Sequence, residues 1–317
     1  MKIVMLEPLG ISEEKVKNIG NKLISLGHEF VFCGKKIETD EEKIALAKEA
    51  DVLIIANSPL GANIINEAKN LKLISVAFTG VDHVDMAACR DRGIIVSNSQ
   101  GYATDSTAEL AVGLMLASLR NIVPYNEVTR NGGVLAGFKH NTLKGKTIGI
   151  VGTGAIGRRV GELVKAFGCN LIGYDIFESE EAKKLGIVYK KIEDVFAESD
   201  IVTLHAPLLE STKHIVNKEM LDKMKESAIL INCARGPLVD SQALADAMNA
   251  EKIARAAIDV YEMEPPIPSD HPLLHAKNTI VTPHVAFYSE ESLEARAVIV
   301  FDNVYSFLAG NPINVKN

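Results

Sequence analysis

Short apolar runs alternate with amphipathic segments from the first residue onward, and that alternation leaves few folds open. In the first third, IVML, EFVF, DVLIIA, KLISVAF and GIIVSN are separated by stretches such as EEKVKNIGNKLISLG and DEEKIALAKEA, whose apolar residues recur at i, i+3 and i+4. Strands that are apolar throughout, set between one-faced helices, predict a parallel sheet covered on both sides. This α/β unit is expected to end near Asn98. A helix is predicted from about Thr104 to Arg120, and its apolar residues (Leu110, Ala111, Val112, Leu114, Met115, Leu116) run nearly all round. Such a helix is buried against something, and a second subunit is one candidate. Beyond Asn131 to Lys144 the series resumes with TIGIVG, NLIGYD, IVTLHAP, AILINCA, AAIDV and TIVTPHV, then ends in an amphipathic helix at about Ser289 to Leu308. The expected architecture is α/β: two doubly wound parallel-sheet domains with a cleft between them.

Length and charge narrow the function. A chain of 317 residues with 47% hydrophobic and 24% charged residues suits two soluble globular domains. A net charge of -7 argues against a broad footprint for nucleic acid or an anionic membrane, and leaves room for a local basic pocket holding one small anion. MKIVMLEP reads as a strand and not as a signal peptide. The most apolar helical stretch, Ala108 to Leu119, is too short to span a bilayer. Cys33, Cys89, Cys169 and Cys233 form no CxxC pair, which points to reduced thiols in a cytoplasmic protein. Eight histidines without H-E-x-x-H or similar spacing give no support to a metal hydrolase, and no metal is expected.

IGIVGTGAIGRRVGELV carries the strongest single motif. Gly152, Gly154 and Gly157 fit G-x-G-x-x-G, and a strand pattern (Thr147 to Val151) enters it while a helical one (Ala155 to Phe167) leaves it. In that setting the first glycine permits a tight turn, the second lets the backbone approach a pyrophosphate, and the third lets helix pack on strand. The pyrophosphate meets free N–H groups at the helix N-terminus. NLIGYD ends in Asp175, about twenty residues past the loop, where a carboxylate accepts hydrogen bonds from ribose hydroxyls and repels a 2′-phosphate. Ile176 and Phe177 supply no arginine for NADP. NAD is therefore the expected cofactor.

Arg235, Asp259, Glu264 and His284 punctuate the later strands, in AILINCARGPLVD, AAIDVYEMEPP and TIVTPHVAF. Ligands of open parallel sheets bind outside the carboxyl ends of the strands, so these side chains are expected to converge there. Reduction of a 2-oxo acid needs a cation for carboxylate and carbonyl, which arginine offers as a planar fork. It also needs a proton donor near neutrality, which is histidine chemistry, with a carboxylate to fix the imidazole's tautomer. Taken singly, each residue has a bland reading as a surface ion pair, a loop acid or a packing histidine. Their occurrence on successive strand ends, downstream of a dinucleotide loop, favours the chemical one.

FTGVDHVDMAACRDRGIIVSN, TAELAVGLMLASLR, GTGAIG, LHAPLLESTKHIVN, NCARGPLVD, AAIDVYEMEPP and TPHVA together resemble the D-isomer-specific 2-hydroxyacid dehydrogenases over essentially the whole chain. The resemblance implies a substrate-binding role for Arg235, an acid/base role for His284, and Glu264 as its carboxylate partner. It implies that Asp259 lies on the nicotinamide side, and that Ala155, Ile156, Asp175, Ala206, Cys233 and Ala234 line the cofactor. Thr79 and Gly80 match the positions whose backbone amides hold the substrate carboxylate. The implied division is a discontinuous substrate domain, 1–98 with 290–317, and an NAD-binding Rossmann domain, 99–289. A homodimer built through the cofactor domain is implied as well.

Two departures bear on substrate. Relatives handling 3-phosphoglycerate carry an arginine after the third strand, where this chain reads Asn57-Ser58-Pro59. An unphosphorylated substrate is therefore expected, with 3-phosphoglycerate as the alternative should Lys36 or another base substitute. Phe287 and Tyr288 stand where many relatives have small residues, and could line an apolar pocket or pack at a hinge. An aromatic-Tyr-Ser run there also occurs in NAD-sensing corepressors of the family, a non-catalytic alternative that the complete Arg235–Glu264–His284 set disfavours.

Overall fold

The computed structural model of the chain describes residues 1–317 apart from Ala136, Glu264 and Pro265. Its internal contacts gather into two compact units, Met1–Ala103 with Tyr288–Asn317, and Thr104–Phe287. The breaks fall at 103/104 and 287/288, a few residues from the 98/99 and 289/290 division that the resemblance implies. Residues 99–103 stay with the first sheet because Ser99 donates its N–H to Phe78 O (3.0 Å) and its hydroxyl to Val76 O (2.9 Å), while Tyr102 packs edge-on against Phe78.

In the first unit β1 (Lys2–Met5), α1 (Glu13–Ser25), β2 (Glu29–Phe32), α2 (Asp40–Ala47), β3 (Val52–Ile55), α3 (Ala62–Glu67), β4 (Leu73–Val76), α4 (Met86–Asp91) and β5 (Ile95–Ser97) alternate. The strands form one parallel sheet in the order β2-β1-β3-β4-β5, the flavodoxin-like winding. Every residue of β3 and β4 is buried, which is why VLII and LISV show almost no polar alternation. The exception, Ser75, donates its hydroxyl to Val300 O at 2.9 Å.

Val300 lies on the final helix, Glu290–Leu308, which begins in a capping box between Ser289 and Ser292. Its Ala297, Val300, Phe301 and Val304 are buried with Ile3, Met5, Ile54 and Leu73 on one face of the sheet. Asn303, with no exposed surface, fixes it in place. Its Nδ2 donates to Asn98 O (2.9 Å), and its Oδ1 accepts from Asn314 Nδ2 (2.8 Å).

In the second unit α5 (Thr104–Arg120) and α6 (Ile122–Arg130) precede β6 (Thr147–Val151), α7 (Ala155–Ala166), β7 (Asn170–Tyr174), α8 (Glu180–Leu185), β8 (Val188–Tyr189), α9 (Ile192–Glu198), β9 (Ile201–Leu204), α10 (Lys218–Lys223), β10 (Ile229–Asn232), α11 (Ser241–Asn249), β11 (Arg255–Ile258), α12 (Pro272–His275) and β12 (Thr279–Val281). The final helix is thus α13. The seven strands are parallel, in the order β12-β11-β10-β9-β6-β7-β8. The order reverses between β6 and β9, which creates the switch point where doubly wound sheets take ligands. Apolar clusters cover both faces of the sheet. Among the elements without a counterpart in the sequence reading are α6, none of whose residues is buried, and β8, only two residues long.

All four cysteines are free thiols. Among the described residues no group of His, Cys, Asp or Glu could hold a metal ion, and no helix is long and apolar enough to cross a membrane. Asn303→Ala removes the partners of a buried carbonyl and a side-chain amide together. We expect it to lower unfolding free energy by about 2–3 kcal/mol in denaturant titration; a loss under about 0.5 kcal/mol would remove Asn303 from its place as the clamp on α13.

Candidate functional site

At the switch point the three loop glycines do different work. Gly152 sits at φ +92°, and a Cβ there would come within 2.5 Å of the Ala206 nitrogen on the loop after β9. A Cβ on Gly157 would collide with the Gly152 carbonyl oxygen, so α7 packs against the loop only without a side chain there. On Gly154 a Cβ would meet no protein atom within 4 Å. That glycine is the N-cap of α7 and makes no side-chain cap, so the first-turn N–H groups, those of Ala155 and Ile156 included, are open to a ligand. A pyrophosphate fits this cradle: donors, helix dipole and space for close approach coincide.

Asp175 follows β7 directly, and the structure gives it a second task. Its Oδ2 accepts from the Thr153 N–H (2.7 Å) and the Thr153 hydroxyl (3.2 Å), which pins the glycine loop to the strand. Its Oδ1 receives only the Phe177 N–H, at 3.3 Å, and retains accepting capacity for ribose hydroxyls. Tyr189 completes the arrangement, its hydroxyl lying 2.5 Å from the Thr153 hydroxyl and accepting from Ser179 N (2.9 Å). Thr153 and Tyr189 were not legible as loop supports. Thr153 occupies an unrestricted position of the motif, and Tyr189 lies on the two-residue strand.

After β9, His205 donates its N–H to Val151 O (2.7 Å) and pairs its Nε2 with the Thr203 hydroxyl (2.9 Å). Desolvation of the ring pulls its pKa down to about 3, so it is neutral at working pH and braces the loop that carries Ala206.

The later strand ends hold the reacting groups. Asn232, fully buried at the end of β10, accepts from Ala234 N–H (3.0 Å) and donates to Arg235 O (3.0 Å). This side-chain clasp bends Cys233-Ala234-Arg235 into a fixed turn. The next residue, Gly236, tolerates no Cβ because the Tyr261 backbone occupies that space. Arg235 is half-buried, with Nη1 donating to Ala234 O at 2.8 Å. The thiol of Cys233 is buried and its pKa raised by desolvation, so it is an inert neighbour of the turn.

Asp259, with no exposed surface, receives the Thr282 hydroxyl (2.5 Å) and the Val285 N–H (3.0 Å) on Oδ1, and the Ala286 N–H (2.9 Å) on Oδ2. Its backbone N–H donates to Asn232 O (2.9 Å), and its carbonyl accepts the His284 N–H (2.7 Å). One residue therefore links the turn bearing Arg235 to the turn bearing His284. His284 itself adopts φ +56°, an uncommon conformation for a non-glycine residue, and is held there by bonds on both sides. Its half-buried ring meets Phe287 edge-on at 5.7 Å, which gives that aromatic a contact with the imidazole. Tyr288 is 62% exposed. Glu264, expected as the partner of His284, lies outside the described residues.

In the first unit the loop after β4 carries Thr79, which is exposed, and Gly80, which is half-buried; Asn98 Nδ2 donates to Thr79 O at 2.6 Å. The loop after β3 is organised by a residue that pattern reading passed over. Glu7, 3% exposed, accepts the N–H groups of Ala56 and Ser58, each at 3.0 Å. The only early signal was an acid directly after a strand. Lys36 is exposed, while Lys43 is buried and donates to Pro59 O at 3.1 Å.

The sequence profile described as "D-isomer specific 2-hydroxyacid dehydrogenase, NAD binding domain" matches residues 112–286. A D-3-phosphoglycerate dehydrogenase of Methanocaldococcus jannaschii is 40% identical over 287 residues, which is 88% of this chain but 54% of that protein, so the chain spans about half of that relative's length. A hydroxypyruvate reductase of Blautia hydrogenotrophica is 33% identical over 324 residues, covering 100% of both chains. Among solved structures, an acyclic imino acid reductase, Bsp5, in complex with NADPH and D-Arg superposes with a TM-score of 0.89 at 29% identity, again covering 100% of both chains. The fold, the dinucleotide cradle and these likenesses agree: the chain belongs to the D-isomer-specific 2-hydroxyacid dehydrogenases, and is an NAD-dependent oxidoreductase of 2-hydroxy acids.

Proposed function

We propose that the protein reduces a small unphosphorylated 2-oxo acid to the D-2-hydroxy acid, with Arg235 binding the substrate and His284 supplying the proton. The observation that carries the assignment is the Asp259 link, which joins the Arg235 and His284 turns on neighbouring strand ends. Bound NADH supplies the hydride from C4 of its nicotinamide. Arg235 presents a permanent charge and paired donors to the substrate carboxylate and carbonyl. By the family resemblance, Thr79 and Gly80 are backbone donors for a substrate carboxylate. His284 gives its proton to the oxygen as negative charge builds there, and takes it back in the reverse direction. Glu264, by the family resemblance, is the carboxylate that orients the imidazole. Ala206, Cys233, Ala234 and Asp259 line the cofactor, with Asp259 on the nicotinamide side.

The case against a phosphorylated substrate rests on Glu7. A buried carboxylate holds the loop after β3, where a phosphate-binding cation would be needed, and Asn57, Ser58 and Pro59 add none. Arg296, the buried cation nearby, donates Nη2 to Leu9 O at 2.6 Å and stacks over Phe78 at 4.8 Å. A homodimer formed through the second unit, in the cytoplasm, completes the reading. It is supported by the apolar surface that Ile122, Val123, Val134 and Leu135 expose, at 47–84%.

Three measurements test this. Across glyoxylate, hydroxypyruvate, pyruvate, a longer 2-oxo acid and 3-phosphohydroxypyruvate, we expect at least one unphosphorylated acid to exceed the phosphorylated one in kcat/KM. The reverse ranking would move the reading to phosphoglycerate oxidation, and no turnover despite NADH binding would move it to an NAD-sensing module. His284→Ala is expected to lower kcat by roughly 10²–10⁴ while leaving NADH affinity within about twofold; retained turnover would remove the acid/base assignment. Asp175→Ala is expected to raise the NADPH-to-NADH ratio of kcat/KM by about tenfold or more. Because Thr153 loses its anchor, the KM for NADH should rise as well. An unchanged ratio would take Asp175 out of cofactor selection.

A further inference from the structure

The second unit has a cavity at the opposite edge of its sheet from the dinucleotide loop. It measures about 400 Å³ and opens where β6, β9, β10 and β11 begin, with Lys146, Asp200, Ile229 and Arg255 on its wall. That volume falls in the range of small-metabolite sites. The strands that start here end at the reacting side chains, so at four residues each they separate the two regions by roughly 10 Å or more.

Arg255 dominates the cavity. It is half-buried, donates Nη2 to the fully buried Asn121 side chain, and pairs with no carboxylate among the described residues. Burial lowers its pKa with no acid to oppose the shift. Half-buried Lys146 likewise makes no ion pair among the described residues. Asp200 is already committed, accepting Thr147 N–H at 2.8 Å and Lys225 Nζ at 3.0 Å. Glu226 and Lys139 are exposed. The wall therefore holds two cations without a direct ion pair among the described residues, of which Lys146 feels the Asp200 charge at longer range.

Ser118 supplies the second observation. It lines the cavity from α5, is 1% exposed, and its buried hydroxyl has no hydrogen-bond partner among the described residues. A buried serine in a helix ordinarily bonds to a carbonyl one turn back, so a solitary hydroxyl here marks a place for an acceptor. The rim is built and not frayed: Asn141 N–H donates to Leu119 O (3.1 Å) and Asn121 Nδ2 to Lys139 O (2.8 Å).

We propose that this cavity is a binding site for a small oxyanion-bearing metabolite, a carboxylate or a phosphate monoester, held by Arg255 and Lys146 with the Ser118 hydroxyl as a further donor. It is separate from the dinucleotide cradle and does not depend on which 2-oxo acid is reduced. An unpaired, partly desolvated guanidinium gains most from a planar or multi-oxygen anion, which can take two parallel hydrogen bonds.

The test is calorimetric titration of the full chain, saturated with NADH and at low ionic strength, with inorganic phosphate and separately with succinate. One saturable site is expected for at least one of the two, and the tighter one identifies the chemical class. Arg255→Gln should weaken it about tenfold or more, with Arg255→Lys recovering much of the loss. Lys146→Gln, on a different element of the wall, should also weaken it, and guards against a folding defect in the Arg255 variant. NADH affinity and turnover should stay unchanged in all three. No saturable anion binding, or equal affinity in wild type and both charge-removing variants, would overturn the proposal, as would binding seen in a parallel NADH-free titration but lost once NADH is present, since the anion would then sit in the dinucleotide loop.

Discussion

The carboxylate of Asp259 is the constraint on which the reacting end of the second unit depends. A buried charge is tolerable only when donors surround it, and here a hydroxyl and two backbone amides do so. Those donors all come from the turn around His284, so the cost of burying the charge is offset only when that turn is in place. The same bonds hold His284 in a left-handed conformation that would otherwise cost about 1–3 kcal/mol. Through its own backbone Asp259 also grips Asn232, whose side chain shapes the turn carrying Arg235. Cation and imidazole thus stand on one hydrogen-bonded frame, and neither turn can drift alone.

The dinucleotide cradle follows a related rule, with packing in place of charge. Gly157 brings helix to loop, Gly152 brings loop to the neighbouring strand end, and Asp175 ties loop to β7. Only Gly154 faces open space. A parallel sheet makes both arrangements possible, because it delivers every strand's carboxyl end to one edge. The opposite edge collects strand beginnings, and there Arg255, with no carboxylate partner among the described residues, stands at the first position of β11.

Much of the fold was legible because fully buried parallel strands write continuous apolar runs. VLII, LISV, IVTL and ILIN are buried at every residue or nearly so, and their limits in the structure match the runs. α6 and β8 were harder to read: α6 buries nothing, and β8 is two residues long. The chemistry-bearing residues stood out because their types fit a reaction and their spacing repeats with the strands. Their supports did not. Thr282, Thr153 and Glu7 act through hydrogen bonds to residues distant in sequence, and no local pattern announces such bonds. The pairing of His284 with Glu264 rests on sequence resemblance alone, since Glu264 lies outside the described residues.

The central claim is that Arg235 and His284 reduce the carbonyl of a 2-oxo acid from one face, with hydride from NADH. The most direct test is the configuration of the product, read by chiral chromatography after reduction of a prochiral acid such as pyruvate or hydroxypyruvate. The account predicts the D-2-hydroxy acid alone, formed in one-to-one proportion with NADH oxidised. An L product, a racemate, or NADH oxidation without a hydroxy acid would contradict it.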